Sequence, residues 1–291
     1  MVMKLSELYA NARRAFLTCE DAPTASLLAR NLVCHYTEKT PEQIIIDREM
    51  YVGEAACDAV MDAAKRVIGG EPIAYILGEW DFYGMTLYVD RNVLIPRDDT
   101  CAVTGLAVKQ GLFLDKDPRI LDLCTGSGCI GLAIANRVKD ARVTLADISR
   151  DALSVAKKNI VRQHLTARVS AVVADALKKP PAFLGKFDMI VSNPPYITTD
   201  EMEGLDHSVK DFEPHLALHG GEDGLDFYRS IAKNYASALK HRGFLCFEFG
   251  IGQGDGVCDI LEHNGYTVLE RTKDFNGVER AVLARYDGKE E

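Results

Sequence analysis

The stretch Ile120-Leu121-Asp122-Leu123-Cys124-Thr125-Gly126-Ser127-Gly128-Cys129-Ile130-Gly131 combines a strand, a turn and the start of a helix. The apolar run before the turn predicts a buried strand, and Leu132 to Ala135 continue the apolar pattern of a helix. Glycines in the turn let the backbone pass close to a ligand, while amide N–H groups at the helix start point toward it. This stretch predicts a nucleotide-binding turn.

The next predicted strand adds an acidic residue to this turn. Val143-Thr144-Leu145-Ala146 is apolar, and Asp147 follows it where a carboxylate accepts hydrogen bonds from both ribose hydroxyls. Gly126, Gly128 and Gly131 also satisfy the dinucleotide-binding fingerprint, so a dehydrogenase is an alternative interpretation.

The tetrapeptide Asn193-Pro194-Pro195-Tyr196 carries a second chemistry and follows the apolar run Met189-Ile190-Val191. Prolines keep the preceding residues extended, so the Asn193 side-chain oxygen and the Pro194 carbonyl are both presented as acceptors, and Tyr196 offers a stacking face. Two acceptors suit the N–H groups of a planar amide or amine, whose nitrogen must be held in line with a methyl donor. The motif favours N-methylation. No hydride-transfer arrangement is apparent, whereas methyl transfer accounts for both motifs.

Strand and helix patterns alternate from about residue 98 onward. This alternation predicts an open α/β sheet of seven strands with helices on both faces, a Rossmann-like fold, whose ligands bind at the carboxyl ends of the strands. A Gly277 turn without a helix predicts that the last two strands form an antiparallel hairpin. The predicted strands lie near residues 119 to 123, 143 to 146, 169 to 173, 187 to 192, 244 to 249, 267 to 271 and 279 to 284.

The N-terminal part of the chain has a different pattern. Apolar residues at helical spacing and a Thr40-Pro41 helix start predict a bundle of four or five helices. Aromatic and β-branched residues around Gly84 then predict a β-hairpin linker. We therefore predict three segments: a helical bundle over residues 1–77, the hairpin linker over 78–97, and the α/β domain over 98–291.

Composition limits the classes of protein that fit. The chain has 291 residues, 47% hydrophobic and 26% charged, which is typical of a globular protein, and its net charge of −9 disfavours a protein that grips bare nucleic acid. No apolar run approaches the roughly 20 residues of a membrane span, and Met1 to Arg14 lack a signal-peptide core. We expect a cytoplasmic protein that binds neither membrane nor, stably, nucleic acid.

Potential metal ligands are sparse. The eight cysteines form no Cys-x-x-Cys pair and are expected to be free core thiols. His215 and His219 have a spacing that suits a metal on one helix face, but no third ligand accompanies them, so we predict no metal.

With these motifs, the sequence resembles the glutamine-N5 methyltransferases that modify bacterial class I peptide release factors. The resemblance covers nearly the whole chain. Its most specific carriers are the hairpin region and the stretch around Glu213, because Asn-Pro-Pro-Tyr also occurs in adenine-N6 and guanine-N2 methyltransferases. The matching stretches are residues 70–76, 78–79, 82–84, 93–97, the glycine turn, 193–196, 213–214, 217–218, 220–221, 223–225 and 228–229.

The resemblance implies a class I methyltransferase that uses S-adenosylmethionine, releases S-adenosylhomocysteine and methylates the glutamine of a Gly-Gly-Gln loop. Asn193 to Tyr196 would hold this glutamine, and the helical bundle would help to dock the release factor. We expect a monomer. The implied cofactor-binding residues are Cys124, Thr125, Gly126, Ser127 and Gly128, with Asp147 on the ribose, Asp175 and Ala176 beside the adenine, and Asn193 near the methionine part.

Three positions depart from the family pattern. The family usually has glycine at Cys124, a Pro-Glu pair at Asp98-Asp99 and often a bulky residue at Ala176. None of them touches the acceptors at Asn193 and Pro194. A small Ala176 is expected to loosen adenine packing and weaken cofactor affinity more than turnover.

We expect direct in-line displacement by the amide nitrogen, with Asn193 and the Pro194 carbonyl as the catalytic acceptors and water taking the proton. Glu213 and Glu248 are the nearest alternatives for a base, although structural roles are favoured for both. Three other functions stay open: methylation of a nucleic-acid exocyclic amine, methylation of a ribosomal-protein glutamine, and a silent cofactor-binding scaffold.

Overall fold

The structure is a computed structural model that describes residues 2–288. Contacts between Cα atoms divide it into two units. One unit contains residues 2–78 and His207–Phe212, and the other contains Glu79–Asp206 and residues 213–288.

The α-helices are α1 (Leu5–Phe16), α2 (Ala22–Thr37), α3 (Pro41–Ile46), α4 (Glu54–Ile68), α5 (Ile73–Leu77), α6 (Cys101–Gly111), α7 (Cys129–Arg137), α8 (Arg150–Arg162), α9 (Thr199–Glu203), α10 (His207–Lys210), α11 (Asp226–Asn234) and α12 (Gly254–His263). The strands are β1 (Met3–Lys4), β2 (Tyr51–Val52), β3 (Glu79–Phe82), β4 (Met85–Tyr88), β5 (Arg119–Leu123), β6 (Arg142–Asp147), β7 (Val169–Val173), β8 (Phe187–Ser192), β9 (Leu239–Glu248), β10 (Tyr266–Lys273) and β11 (Glu279–Tyr286).

The larger unit is built on a seven-stranded sheet with the order β10-β11-β9-β8-β5-β6-β7. Strands β5 to β9 run parallel, whereas β11 is antiparallel to both of its neighbours, β9 and β10. The predicted Rossmann-like fold and its terminal antiparallel hairpin are confirmed. Gly277 has a φ of 81° in the hairpin turn, a conformation that glycine adopts without strain.

Helices cover both faces of the sheet, as predicted. One buried cluster joins apolar residues of α6, α7 and α8 to one face of the sheet. A second cluster joins α11 and α12 to the other face. Because both faces are covered, the central strands are buried on each side, which explains their continuous apolar runs.

Strand register brings the predicted motifs to one edge of the sheet. Leu123, the last residue of β5, pairs with Ala146 of β6 and with Ser192 of β8. The residues that follow these three positions are Cys124 of the glycine turn, Asp147, and Asn193 of the Asn-Pro-Pro-Tyr motif. All three therefore begin at the carboxyl ends of neighbouring parallel strands, where ligands bind in such sheets.

The smaller unit contains the five helices α1 to α5, which confirms the predicted bundle. Thr40 forms a capping box with Gln43 at the start of α3, as its Thr-Pro sequence indicates. Strands β1 and β2 also pair in this unit, and two residues each are too few to give a strand pattern. Helix α10 belongs to it as well, because a Cβ at Gly70 would lie 2.6 Å from His207 Cδ2.

The predicted hairpin is formed by β3 and β4. Phe82, Met85 and Leu87 are buried in the core cluster of α6 to α8. Asn159 of α8, which is fully buried, accepts from Tyr88 N at 2.7 Å and donates to Tyr88 O and Ser127 O, both at 2.9 Å. One amide side chain thereby ties the hairpin to the glycine turn.

We predict that Asn159→Ala lowers the free energy of unfolding by about 1–3 kcal/mol, because it leaves three backbone groups of Tyr88 and Ser127 without their partner. Urea denaturation measures this change. The exposed turn substitution Asn276→Ala is the control, with an expected effect below about 0.5 kcal/mol. Equal stability of the two variants would contradict the role assigned to Asn159.

Candidate active site

A single cleft at the carboxyl ends of the strands brings together most of the predicted site residues. Gly128, Pro194 and Tyr196 are the predicted residues that do not line it. The predicted residues that line the cleft are Cys124, Thr125, Gly126, Ser127, Asp147, Asp175, Ala176, Asn193 and Pro195.

The glycine turn has left-handed backbone at three positions: φ is 61° at Cys124, 52° at Gly126 and 87° at Gly128. A Cβ at Gly126 would meet no atom within 4 Å, so this position faces open space where a ligand can approach. A Cβ at Gly128 would lie 3.0 Å from Leu145 Cδ1. Gly128 therefore serves the packing of the turn against β6.

Asp122, the acid within β5, holds the turn from below. It is fully buried, and its Oδ2 accepts from Thr125 Oγ1 at 2.5 Å and from Gly131 N at 2.9 Å. Burial raises the pKa of Asp122 to about 7, against these hydrogen bonds. A Cβ at Gly131 would lie 2.3 Å from Leu145 Cδ2, so the third glycine of the fingerprint permits close packing of α7. Asp122 is not among the predicted site residues, although an acid inside a buried strand is itself a signal.

Asp147 holds the same turn from the side. Its Oδ2 accepts from Gly126 N and its Oδ1 accepts from Ser149 N, both at 2.9 Å. Burial raises the pKa of Asp147, and the backbone hydrogen bonds oppose this shift. Each carboxylate oxygen can accept a further hydrogen bond, so both remain available to the two hydroxyls of a ribose.

Flat apolar walls continue the cleft beyond Asp147. Ile148 and Leu177 line it and are 44% and 48% exposed, while Ala176 beside them is buried. Ser230 Oγ donates to Ala176 O at 2.8 Å, and Asp175 Oδ1 accepts from Leu177 N at 2.9 Å. This fixed loop between exposed apolar side chains has the character of an adenine site. The open glycine turn, Asp147 and these walls together fit a nucleoside with a small attached chain.

The Asn193 motif lies on the other side of the glycine turn from Asp147. Asn193 is half-buried, and its Nδ2 donates to Thr100 Oγ1 at 3.3 Å. Pro194 is buried, whereas the Tyr196 ring packs against the core cluster of α11 and α12. Gln253 Nε2 donates to Tyr196 O at 2.9 Å. These contacts anchor the motif from its C-terminal end.

Two segments that the site prediction missed complete the cleft: residues 92–100 and residues 214–217. Arg97 forms a short ion pair with Glu213, whose Oε2 also accepts from Ile95 N at 3.3 Å. Burial raises the pKa of Glu213, and the Arg97 guanidinium opposes the shift. The pair joins the two segments. The only sequence signal for them was the resemblance of both stretches to the glutamine-N5 methyltransferase family.

The Asp98-Asp99 departure has a structural partner. Arg280 pairs with Asp99 at 2.8 Å and with Asp274 at 3.1 Å. Asp99 thus connects the start of α6 to the β10–β11 hairpin beside the cleft, and its charge is matched.

Glu248, one of the two candidate bases, is buried behind Asn193 at the end of β9. Burial raises its pKa to about 8, opposed by hydrogen bonds from the side chains of Thr100 and Asn193. Glu248 is not among the residues that line the cleft in the described part of the chain.

Other features bear on the sequence predictions. Within residues 2–288, no group of three His, Cys, Asp or Glu side chains is arranged to hold a metal ion. His219 Nε2 lies 3.0 Å from Thr199 Oγ1, and His215 lies in a 3-10 turn instead of an α-helix. The eight cysteines are free. None of the described helices has both the length and the apolarity to cross a membrane.

Two family models match the chain: a PrmC N-terminal domain over residues 7–78 and a methyltransferase small domain over residues 107–212. A release factor glutamine methyltransferase from Clostridium acetobutylicum is 40% identical over 253 residues, which cover 87% of this chain and 88% of that protein. The chain belongs to the release factor glutamine methyltransferase family. Another such methyltransferase, from Chlorobaculum tepidum, is 36% identical over 276 residues and 92% of each chain.

The solved structures agree on the fold. A methyltransferase from Pyrococcus furiosus matches with a TM-score of 0.51 and 18% identity, covering 78% of this chain and 99% of that one. Membership in the release factor glutamine methyltransferase family confirms the predicted resemblance, and with it an enzyme of the S-adenosylmethionine-dependent methyltransferase class. It removes the dehydrogenase interpretation of the glycine fingerprint.

Cys124 gives a testable consequence of the turn geometry. We predict that Cys124→Gly is more stable than Cys124→Ala by about 1 kcal/mol, because both remove the thiol but only glycine is relaxed at a φ of 61°. Chemical denaturation of the two variants measures the difference. An alanine variant as stable as the glycine variant would show that this backbone conformation is not strained.

Proposed function

We propose that this protein methylates the N5 side-chain amide of the glutamine in the Gly-Gly-Gln motif of class I peptide release factors. The methyl group comes from S-adenosylmethionine, and S-adenosylhomocysteine is the product. The observation that carries the proposal is the position of Asn193: a half-buried amide that lines the same cleft as the glycine turn and Asp147. Relatives named for this reaction support it.

The residues of the cleft suit the cofactor part by part. Cys124 to Gly128 form the turn around its amino-acid portion, Asp147 accepts from the ribose hydroxyls, and Asp175 with Ala176 flanks the adenine. Gly128 supports this turn through packing, without facing the cleft. When bound, S-adenosylmethionine supplies an electrophilic methyl group.

The substrate amide is held by acceptors. The Asn193 side-chain oxygen and the Pro194 carbonyl accept its two N–H groups, while Pro195 and Tyr196 shape the extended motif. Such acceptors fix the plane of the amide and favour the positive charge that develops on its nitrogen during attack. The proton then passes to water, so no strong general base is needed. The buried positions of Glu213 and Glu248 agree with supporting roles.

The helical bundle is proposed to dock the release factor, with residues 1–77, 78–97 and 98–291 as bundle, hairpin linker and catalytic domain.

An acidic chain of net charge −9 disfavours the alternative of a nucleic-acid substrate. A ribosomal-protein glutamine is the other alternative, since it needs the same amide-binding motif. We propose a monomeric enzyme that works in the cytoplasm, where release factors act.

The deciding experiment follows methyl transfer from labelled S-adenosylmethionine to purified release factor. Matched reactions contain the same factor with its Gly-Gly-Gln glutamine replaced by alanine, duplex DNA, ribosomal RNA or ribosomal proteins. We expect label only on the unmodified factor, on the glutamine. Label on nucleic acid or on a ribosomal protein, with none on the factor, would overturn the substrate assignment.

Two variants separate substrate binding from cofactor binding. We predict that Asn193→Ala abolishes detectable methylation while calorimetry still measures S-adenosylmethionine binding, because only the amide acceptor is lost. Asp147→Ala is expected to weaken cofactor affinity first, by about tenfold or more, through the lost ribose hydrogen bonds. Near-normal turnover of Asn193→Ala, or unchanged affinity of Asp147→Ala, would remove that residue from its role.

A further inference from the structure

Gln253 follows the end of β9 and reaches across to the Asn193 motif. It stands at the start of α12, where its backbone N–H donates to Gly250 O at 3.2 Å and closes a tight turn. Its side-chain Oε1 accepts from Gly250 N at 2.9 Å, and its Nε2 donates to Tyr196 O at 2.9 Å. One amide side chain therefore connects the loop after β9 to the loop after β8.

Both partners of the Gln253 amide are backbone groups, and they fix its orientation. Gly250 N can only donate a hydrogen bond, and Tyr196 O can only accept one. A flipped amide would place nitrogen against the donor and oxygen against the acceptor, so both hydrogen bonds would be lost. Gln253 is therefore the donor in its contact with Tyr196.

Glycines allow the neighbouring loops to close around this contact. A Cβ at Gly224 would lie 2.3 Å from Tyr196 O and 2.5 Å from Gln253 Nε2. A Cβ at Gly220 would lie 2.6 Å from Tyr196 Cα, and one at Gly250 would lie 3.0 Å from Tyr196 Cδ2. The loops after β8, before α11 and after β9 thus meet at the backbone of Tyr196.

The Asn193 motif is consequently held at both ends. At its start, Ser192 ends β8, and its Oγ donates to Leu123 O at 2.6 Å. At its end, the Gln253 amide holds the last residue of the motif. The acceptors assigned to the substrate, the Asn193 side chain and the Pro194 carbonyl, lie between these two anchors. Because two consecutive prolines have fixed φ angles, the segment has few ways to absorb a movement of its end.

We propose that Gln253 is a positioning residue for methyl transfer, which holds the Tyr196 carbonyl and so keeps the acceptors of the Asn193 motif in place. This inference rests on the proposed function, in which the motif binds the substrate amide. Gln253 is not among the residues that line the cleft in the described part of the chain, so it acts through Tyr196. A misplacement of about 1 Å is enough to lower a rate by about 100-fold.

The first test removes the donor alone and then the whole amide. At pH 8, Gln253→Glu keeps an oxygen for Gly250 N but has no N–H for Tyr196 O, whereas Gln253→Ala has neither. We expect kcat to fall by about 10–100-fold in both variants, with the Kd for S-adenosylmethionine changed less than about threefold. A wild-type kcat in Gln253→Glu would overturn the proposal, and so would a loss of cofactor affinity as large as the loss of kcat.

Gln163→Ala is the matched control for loss of a glutamine that holds a backbone carbonyl. Gln163 Nε2 donates to Thr86 O, in the β3–β4 hairpin, also at 2.9 Å. Its substitution is expected to lower stability but to leave kcat unchanged per folded molecule. A parallel loss of kcat in this control would mean that the effect of Gln253→Ala reflects general destabilisation.

A pair of glycine variants tests the same contact from the other side. Gly224 and Gly277 have φ angles of 73° and 81°, so alanine is strained at both. An added Cβ meets Tyr196 O only at Gly224, whereas no atom lies within 4 Å of a Cβ at Gly277. We expect kcat to fall by at least about tenfold in Gly224→Ala and by less than about twofold in Gly277→Ala. Equal kcat values would contradict a role for the placement of Tyr196.

Hydrogen exchange gives a measurement that is independent of methyl transfer. Ile197 N, directly after the motif, donates to Leu218 O at 3.0 Å, so its exchange with solvent reports whether this end is held. By NMR, we expect exchange to be faster in Gln253→Ala by about fivefold or more, the value of one hydrogen bond, and unchanged in Gln163→Ala. Unchanged exchange in Gln253→Ala would overturn the anchoring. If exchange is faster but wild type transfers no methyl group to release factor, the anchoring stands and the proposed substrate fails.

Discussion

The parallel register of β6, β5, β8 and β9 is the constraint on which the rest of the structure depends. Because these strands end at the same edge, the residues at their ends lie side by side. Asp147 and Glu248 are the last residues of β6 and β9, and the glycine turn and Asn193 follow directly after β5 and β8. A one-residue slip of β8 would move every side chain of that strand to the other face of the sheet and displace Asn193 from the turn. The chemistry of the cleft is therefore fixed by main-chain pairing before any side chain contributes.

Buried carboxylates convert this register into a rigid site. Asp122 and Asp147 bind N–H and O–H groups of the turn from two directions, which satisfies donors that a helix start leaves unpaired. Their cost appears as pKa values raised by burial, to about 7 for Asp122. Cys124, next to this hydrogen-bonded turn, has a left-handed conformation that a residue with a side chain rarely adopts. Strain and burial are thus concentrated around the position where a ligand approaches.

The sequence alone predicted what depends on local pattern. Apolar runs located all seven strands of the large sheet, and Thr40-Pro41 located the start of α3. It could not predict which residues of the Asn193 motif line the cleft, since the Tyr196 ring packs against the core cluster of α11 and α12. The Arg97–Glu213 pair joins residues 116 positions apart, and α10 packs with Gly70 of the N-terminal unit. Such contacts depend on the path of connecting loops, which carry no periodic signal.

In the proposed reaction, the orientation of the substrate amide matters more than basicity. In that reaction the amide nitrogen attacks before it loses its proton, so the enzyme gains most from holding the plane of the amide and its N–H groups in place. Stability alone does not account for Glu248, because a well-packed apolar residue avoids the desolvation that raises its pKa to about 8. Glu248 lies beside Asn193 in the register of β8 and β9, at the edge of the sheet where the substrate amide is proposed to bind.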